Sequence, residues 1–165
     1  MLLAQGQKFC FYILNIDFYQ MKILMVCLGN ICRSPLAHGI MQDVVEKNGL
    51  AWEIDSAGTG DWHVGKAPDK RSVAIAKQHN IDISAQRAQH FTTELFDLYD
   101  RIFVMDNHNM EDVLSLATTA EQRAKVTLFL TDNFVPDPYY DDRMFAPVFT
   151  MLEERCNQLI IELKN

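Results

Sequence analysis

The chain has 165 residues, 48% of them hydrophobic, with a formal net charge of −7 and a pI near 5.1. That length buries one sizeable core and is short for two, so a single domain is expected. The acidic balance excludes a broad basic footprint for nucleic acid or an anionic membrane surface, and any positive charge at a phosphate site must be local.

Residues 1–20 contain an apolar run, Phe9–Ile16, with a lone Lys8 before it and Asp17 after it. The missing small-residue cleavage site argues against a signal peptide, and the run is too short to cross a bilayer. The pattern changes at Met21. Residues 1–20 therefore read as an N-terminal extension or as the product of a start assigned upstream of Met21, and residues 21–165 as the domain.

Lys22–Cys27 is a short apolar run ending at Gly29 and Asn30, the signature of a strand buried on both faces. Ser34 supplies a capping residue with Pro35 at the first helical position, and Leu36–Lys47 then carries apolar side chains at helical spacing. Trp52–Ala57 reads as a second strand, residues 58–65 as a glycine-punctuated loop and Asp69–Asn80 as a helix. Residues 81–90 are polar and irregular, Thr93–Leu98 a short helix, Arg101–Met105 a third strand and Asn107–Leu116 a helix. Lys125–Leu130 makes a fourth strand, residues 131–143 a long loop rich in Asp, Pro and Tyr, and Phe145–Leu163 a final amphipathic helix. Strands alternating with helices, with no internal repeat or low-complexity linker, predict an α/β fold whose parallel sheet is covered on both faces. Ligands of such sheets sit at the carboxyl ends of strands, where Cys27 falls.

The four cysteines, Cys10, Cys27, Cys32 and Cys156, have neither the density of a disulfide framework nor zinc-site spacing. Reduced thiols in a cytoplasm fit them. Cys27 ends a buried strand and is followed by Leu28, Gly29, Asn30, Ile31, Cys32, Arg33, Ser34 and Pro35, a tight loop that opens a helix. The positive end of the helix dipole, the loop N–H groups and the Arg33 guanidinium all favour thiolate over thiol at Cys27. The same donors suit a phosphate, with Arg33 engaging two oxygens through its planar fork. Gly29 permits a positive φ or a close backbone approach, Asn30 the left-handed region or a local hydrogen bond, and Ser34 a cap or a hydroxyl donated to sulfur. A departing phenolate needs a proton, and Asp137 between Pro136 and Pro138 is a candidate; by their letters alone Asp132, Asp141 and Asp142 compete with it.

This loop, followed in order by Ser56–Thr59, Asp61 and Trp62, Val64 and Gly65, Ala67–Asp69 and Asp137–Tyr140, resembles the low-molecular-weight protein tyrosine phosphatase family. The resemblance runs from about Met21 to the final helix. It implies a three-layer fold around a four-stranded parallel sheet in order 2-1-3-4, a phosphocysteine intermediate, and neither metal nor cofactor. It makes Cys27 the nucleophile, Arg33 the phosphate clamp, and Leu28, Gly29, Asn30, Ile31, Cys32 and Ser34 the phosphate-binding loop, with Ser56 supporting it. It selects Asp137 as acid and then as base, and gives Trp62, Tyr139 and Tyr140 as walls for a flat phosphotyrosine ring. Two departures stand out: Gln86 occupies a customary histidine position, and Asp141 and Asp142 follow Tyr140 where glycine is common. Under peroxide, a Cys27 sulfenate has Cys32 one loop turn away to close a protective disulfide; the plainer alternative makes Cys32 a small apolar loop residue.

The substrate implied is a phosphotyrosine-containing protein, with no nucleic-acid or membrane partner. Three rivals remain. A protein-arginine phosphatase uses the same loop but tends to carry Thr where this chain has Ile31, and a thiol-linked arsenate reductase needs more downstream cysteines than Cys156 alone. A silent phosphotyrosine-binding module would lack nucleophile, clamp or acid, and all three are present. His38, His63, His79, His90 and His108 show no metal spacing and read as surface or hydrogen-bonded residues, and the eight methionines as core fillers.

Overall fold

The computed structural model describes residues 20–165; the remainder of the expected extension, with Cys10 and the apolar run, lies outside the described residues. Four parallel strands, β1 (Lys22–Cys27), β2 (Glu53–Gly58), β3 (Arg101–Val104) and β4 (Val126–Leu128), form one sheet in the order β2-β1-β3-β4. The expected architecture and strand order are both present. β1 lies between two neighbours and all its residues after Lys22 are buried, which is why it lacks polar alternation.

Successive side chains of β1 point to opposite faces, and two cores result. Ile23, Met25 and Cys27 join the core under α1 (Arg33–Lys47), α2 (Lys70–Gln78) and α6 (Phe145–Lys164). Leu24 and Val26 join Phe91, Phe96 and Val113 on the other face, under α3 (Leu95–Leu98) and α4 (Asn107–Leu116). The register pairs Cys27 with Gly58 and Val26 with Val104, so the first three strands deliver their carboxyl ends to one edge. Among the described residues no helix is long and apolar enough to cross a membrane.

Boundaries moved where local chemistry outweighed pattern. α1 begins at Arg33 with Cys32 as its N-cap and no side-chain cap, so Ser34 is not the cap and Pro35 is the third helical residue. Proline is tolerated there because first-turn N–H groups lack intrahelical acceptors in any case. The fourth strand is shorter than expected because Phe129 and Leu130 turn away from the ladder after the Phe129 N–H bonds the Val104 carbonyl at 2.8 Å. A helix went unread, α5 (Ala120–Ala124), although Thr119 and Gln122 form a capping box visible in the letters. Replacing the fully buried Leu152, where α6 packs against α1, with alanine is expected to lower the unfolding free energy by about 3 kcal/mol. A urea titration checks this as a lower midpoint at unchanged slope.

Candidate active site

The loop between β1 and α1 is shaped by Asn30, which sits in the left-handed region at φ 51° and is almost fully buried. Its side-chain N–H₂ donates to Ser34 Oγ at 2.8 Å and to Ser56 Oγ at 2.9 Å, and its Oδ1 accepts from the Gln89 N–H at 2.9 Å. Ser34 Oγ lies 3.0 Å from Cys27 Sγ. A hydroxyl that already accepts from Asn30 has one proton to give, and the Ala57 carbonyl at 3.4 Å is a poorer recipient than the sulfur.

Both sequence readings of Asn30 hold together, whereas of the two reasons for Gly29 only close approach applies. Gly29 is not among the positive-φ glycines, and a Cβ there would stand 3.1 Å from the His63 ring. Gly58 is tighter still: a Cβ would meet the Leu28 carbonyl oxygen at 2.8 Å and the Asn30 nitrogen at 3.1 Å. The loop carbonyls are taken by neighbours, Cys27 by the Thr59 N–H at 2.9 Å, Leu28 by Gly60 at 2.8 Å and Ile31 by Asp69 at 2.8 Å. The N–H groups of Leu28–Cys32 have no acceptor among the described residues, so these donors at a helix N-terminus are available to an anion.

Arg33 is buried, with only 4% of its side chain exposed. Nη1 donates to Asp106 Oδ2 at 2.6 Å and to the Val135 carbonyl at 3.2 Å, and Nη2 to Asp137 Oδ2 at 3.3 Å. Burial opposes its charge, but Cys27, Asp106 and Asp137 together raise its pKa above the ordinary value. Asp106 was not read from the sequence as part of the site. Its place directly after the third strand, capping α4 through the Asn109 N–H at 2.8 Å, was the available signal.

Asp137 lines a cavity of about 350 Å³ together with Cys27, Arg33 and three aromatics, Trp62, Tyr139 and Tyr140. Leu28, Gly29, Ile31 and Cys32 also face it, whereas Asn30, Ser34 and Ser56 stand behind the loop. Asp141 bonds Arg143 at 2.9 Å and Asp142 bonds Arg71 at 2.6 Å; neither they nor Asp132 line the cavity. His63, read as a surface or hydrogen-bonded residue, meets Lys66 Nζ at 3.5 Å through Nδ1 and is also in the wall, its pKa lowered by burial and by Lys66.

Arg71 is the second residue the sequence did not reveal. It chelates Asp69 through Nε at 2.9 Å and Nη2 at 2.8 Å, donates from Nη1 to the Tyr139 carbonyl at 3.0 Å, and lies 4.6 Å from the centre of the Phe145 ring. This holds the Asp69 carboxyl below its usual range. Since the Asp69 N–H bonds Ile31, one Asp–Arg pair links the cysteine loop to the Asp137 segment. Gln86 donates to the Pro35 carbonyl at 3.2 Å, and loop support comes from Gln89, whose Nε2 reaches the Ser56 carbonyl at 2.9 Å.

Cys27, Cys32 and Cys156 are free thiols. Burial, followed by the charges of Asp69, Cys27 and Asp137, pushes the Cys32 thiol up to about 12. Burial likewise raises Cys156. His38 departs from its expectation: it is partly buried, its Nδ1 has no hydrogen-bond partner, and it stands 3.9 Å from Asp55 with its pKa lowered by burial. Among the described residues no group of three or more His, Cys, Asp or Glu forms a candidate metal site.

The family model for low molecular weight phosphotyrosine protein phosphatase matches residues 22–165. The low molecular weight phosphotyrosine protein phosphatase of Sus scrofa is 33% identical over 87% of this chain and 96% of its own length. Among solved structures, a protein tyrosine phosphatase from Entamoeba histolytica with Hepes in its active site superposes with a TM-score of 0.83 at 34% identity, covering 88% of this chain and 97% of that one. A Drosophila arginine phosphatase superposes with a TM-score of 0.82 at 31% identity, covering 88% and 99%.

With burial holding the Cys32 and Cys156 thiols neutral, and Arg33 and the loop N–H groups beside Cys27, iodoacetate near pH 7 is expected to alkylate Cys27 alone among these three thiols. Peptide mass mapping of wild type and Cys27→Ser checks this, and a Cys32 adduct as abundant as the Cys27 adduct would contradict it.

Proposed function

The chain belongs to the low molecular weight phosphotyrosine protein phosphatase family, and we propose that it hydrolyses protein phosphotyrosine and small aryl phosphates through a phosphocysteine intermediate, without a metal. The observation that carries this is the convergence of the Cys27 thiol, the free loop N–H groups, Arg33 and Asp137 on one aromatic-walled cavity. The catalytic unit is taken as residues 21–165, with residues 1–20 an extension, and its free thiols suit a reducing cytoplasm.

In this mechanism the phosphate dianion sits on the loop donors and Arg33, which Asp106 holds in place. The Cys27 thiolate attacks phosphorus, the bond from phosphorus to the tyrosyl oxygen breaks, and protonated Asp137 gives its proton to the departing oxygen. Asp137, now a carboxylate, takes a proton from the water that attacks the phosphocysteine. The sulfur–phosphorus bond breaks, inorganic phosphate forms, and the returning thiolate receives the Ser34 hydroxyl. No external electron source is needed. Trp62, Tyr139 and Tyr140 supply flat apolar walls for the aryl ring, and Ile31 adds a methyl-rich contact. The likeness to an arginine phosphatase keeps phosphoarginine as the second reading, since the same loop chemistry serves a P–N bond.

The decisive assay compares phosphate release from phosphotyrosine and phosphoarginine peptides in EDTA. Phosphotyrosine turnover is expected for wild type, falling in Cys27→Ser by a factor on the order of 10⁴ or more. Turnover of phosphoarginine alone would keep the nucleophile and overturn the substrate.

Arg71 acts here as a positioning residue for the Asp137 segment. Arg71→Ala is expected to lower kcat roughly tenfold on aryl phosphates with poor leaving groups, where proton donation limits the rate, and far less on activated ones. Arg71→Lys should restore little, because an ammonium lacks the planar fork that bonds Asp69, Asp142 and Tyr139 together. A leaving-group series under saturating substrate measures both.

A further inference from the structure

A second cavity, of about 490 Å³, adjoins the first and shares Leu28 and Trp62 with it. Its floor includes Phe91 and Val113, both buried, and one wall is a stripe along α4, where His108, Asp112 and Leu116 follow at four-residue spacing. Because Leu28 and Trp62 line both cavities, a side chain flanking a phosphotyrosine bound in the first has the second within its surroundings. We propose that this cavity is a subsite for a basic side chain, arginine or lysine, flanking the phosphotyrosine of the substrate; the proposal rests on the phosphotyrosine reading above.

The lining chemistry selects the occupant. Asp112 is 39% exposed, and its one ion-pair partner among the described residues is His108 Nε2 at 3.8 Å, with no lysine or arginine beside it. Trp62 exposes 57% of its surface between the cavities, a face on which a guanidinium can stack while its alkyl stem covers Leu28 and Leu116. An aliphatic occupant would strip water from Asp112 without pairing it, and a glutamate would set two carboxylates together. A basic side chain alone satisfies both the apolar floor and the acidic rim.

The test uses two series of phosphotyrosine peptides, varied only at the residue before or only at the residue after the phosphotyrosine, as Arg, Leu, Ala or Glu. In one series the Arg peptide is expected to exceed the Ala peptide about five- to tenfold in kcat/KM, with Glu lowest. Asp112→Asn should bring Arg down to the Ala level, while Asp97→Asn, an equal change of charge on α3, should not. Hydrolysis of p-nitrophenyl phosphate by Asp112→Asn should equal that of wild type, which shows that the variant is folded and active. Equal rates across both series, a preference for Leu over Arg, or an Arg preference that survives Asp112→Asn would overturn the subsite. Failure of wild type to hydrolyse any phosphotyrosine peptide would instead overturn the reading on which it rests.

Discussion

A single buried amide holds the cysteine loop in shape. Asn30, in a backbone conformation that side chains other than glycine, Asn and Asp seldom adopt, directs its two donors to Ser34 and Ser56 and its acceptor to the Gln89 N–H. Three separate segments thereby meet behind the loop: the start of α1, the second strand and the stretch leading to Phe91. Losing that amide would leave the Ser56 hydroxyl and the Gln89 N–H without their partner, each costing about 1–3 kcal/mol, directly behind the loop whose own N–H groups lack acceptors among the described residues. The Ser34 hydroxyl links this support to the chemistry, since the atom that accepts from Asn30 also faces the Cys27 sulfur.

A chain with a net charge of −7 still provides for an anion because the attraction is made locally. Arg33 is desolvated, so its field is poorly screened, and Asp106 fixes the guanidinium without filling the cavity. The unpaired loop N–H groups add partial positive charge that needs no side chain. The acidic surroundings carry a further consequence at the rim, where Asp112 gives the adjoining cavity the opposite preference and suits a substrate that is anionic at one residue and cationic at the next.

In the proposed mechanism two loops distant in sequence must keep a fixed separation for a sulfur nucleophile and a carboxyl group to share one phosphate. The Asp69 and Arg71 pair supplies that constraint, bonded to Ile31 at one end and to Tyr139 and Asp142 at the other. Asp142 thus has a structural partner, which accounts for one of the two acidic residues that follow Tyr140. Gln86 lies beside Pro35 and outside the Asn30 network, so the departure at that position leaves the loop's main support intact.

The alternation of strands with helices, the buried character of the first strand and the loop from Cys27 to Pro35 were legible in the letters because each is local: propensity, periodicity and the chemistry of adjacent residues dictate them. The choice of Asp137 over Asp132, Asp141 and Asp142 came only with the family resemblance, since an aspartate beside proline is ordinary turn chemistry. Of these four aspartates, Asp137 alone lines the cavity. Asp106, Arg71, His63 and Gln89 were not legible as site residues, because each joins the site through contacts spanning 34 to 73 positions, and apart from the place of Asp106 after the third strand nothing beside them in sequence distinguishes them from surface residues. The local letters specified the strand, the loop and the helix that bear the thiol. Only the tertiary structure decided which distant carboxylates, arginines and amides surround it, because sheet order and helix packing bring those groups within hydrogen-bonding distance.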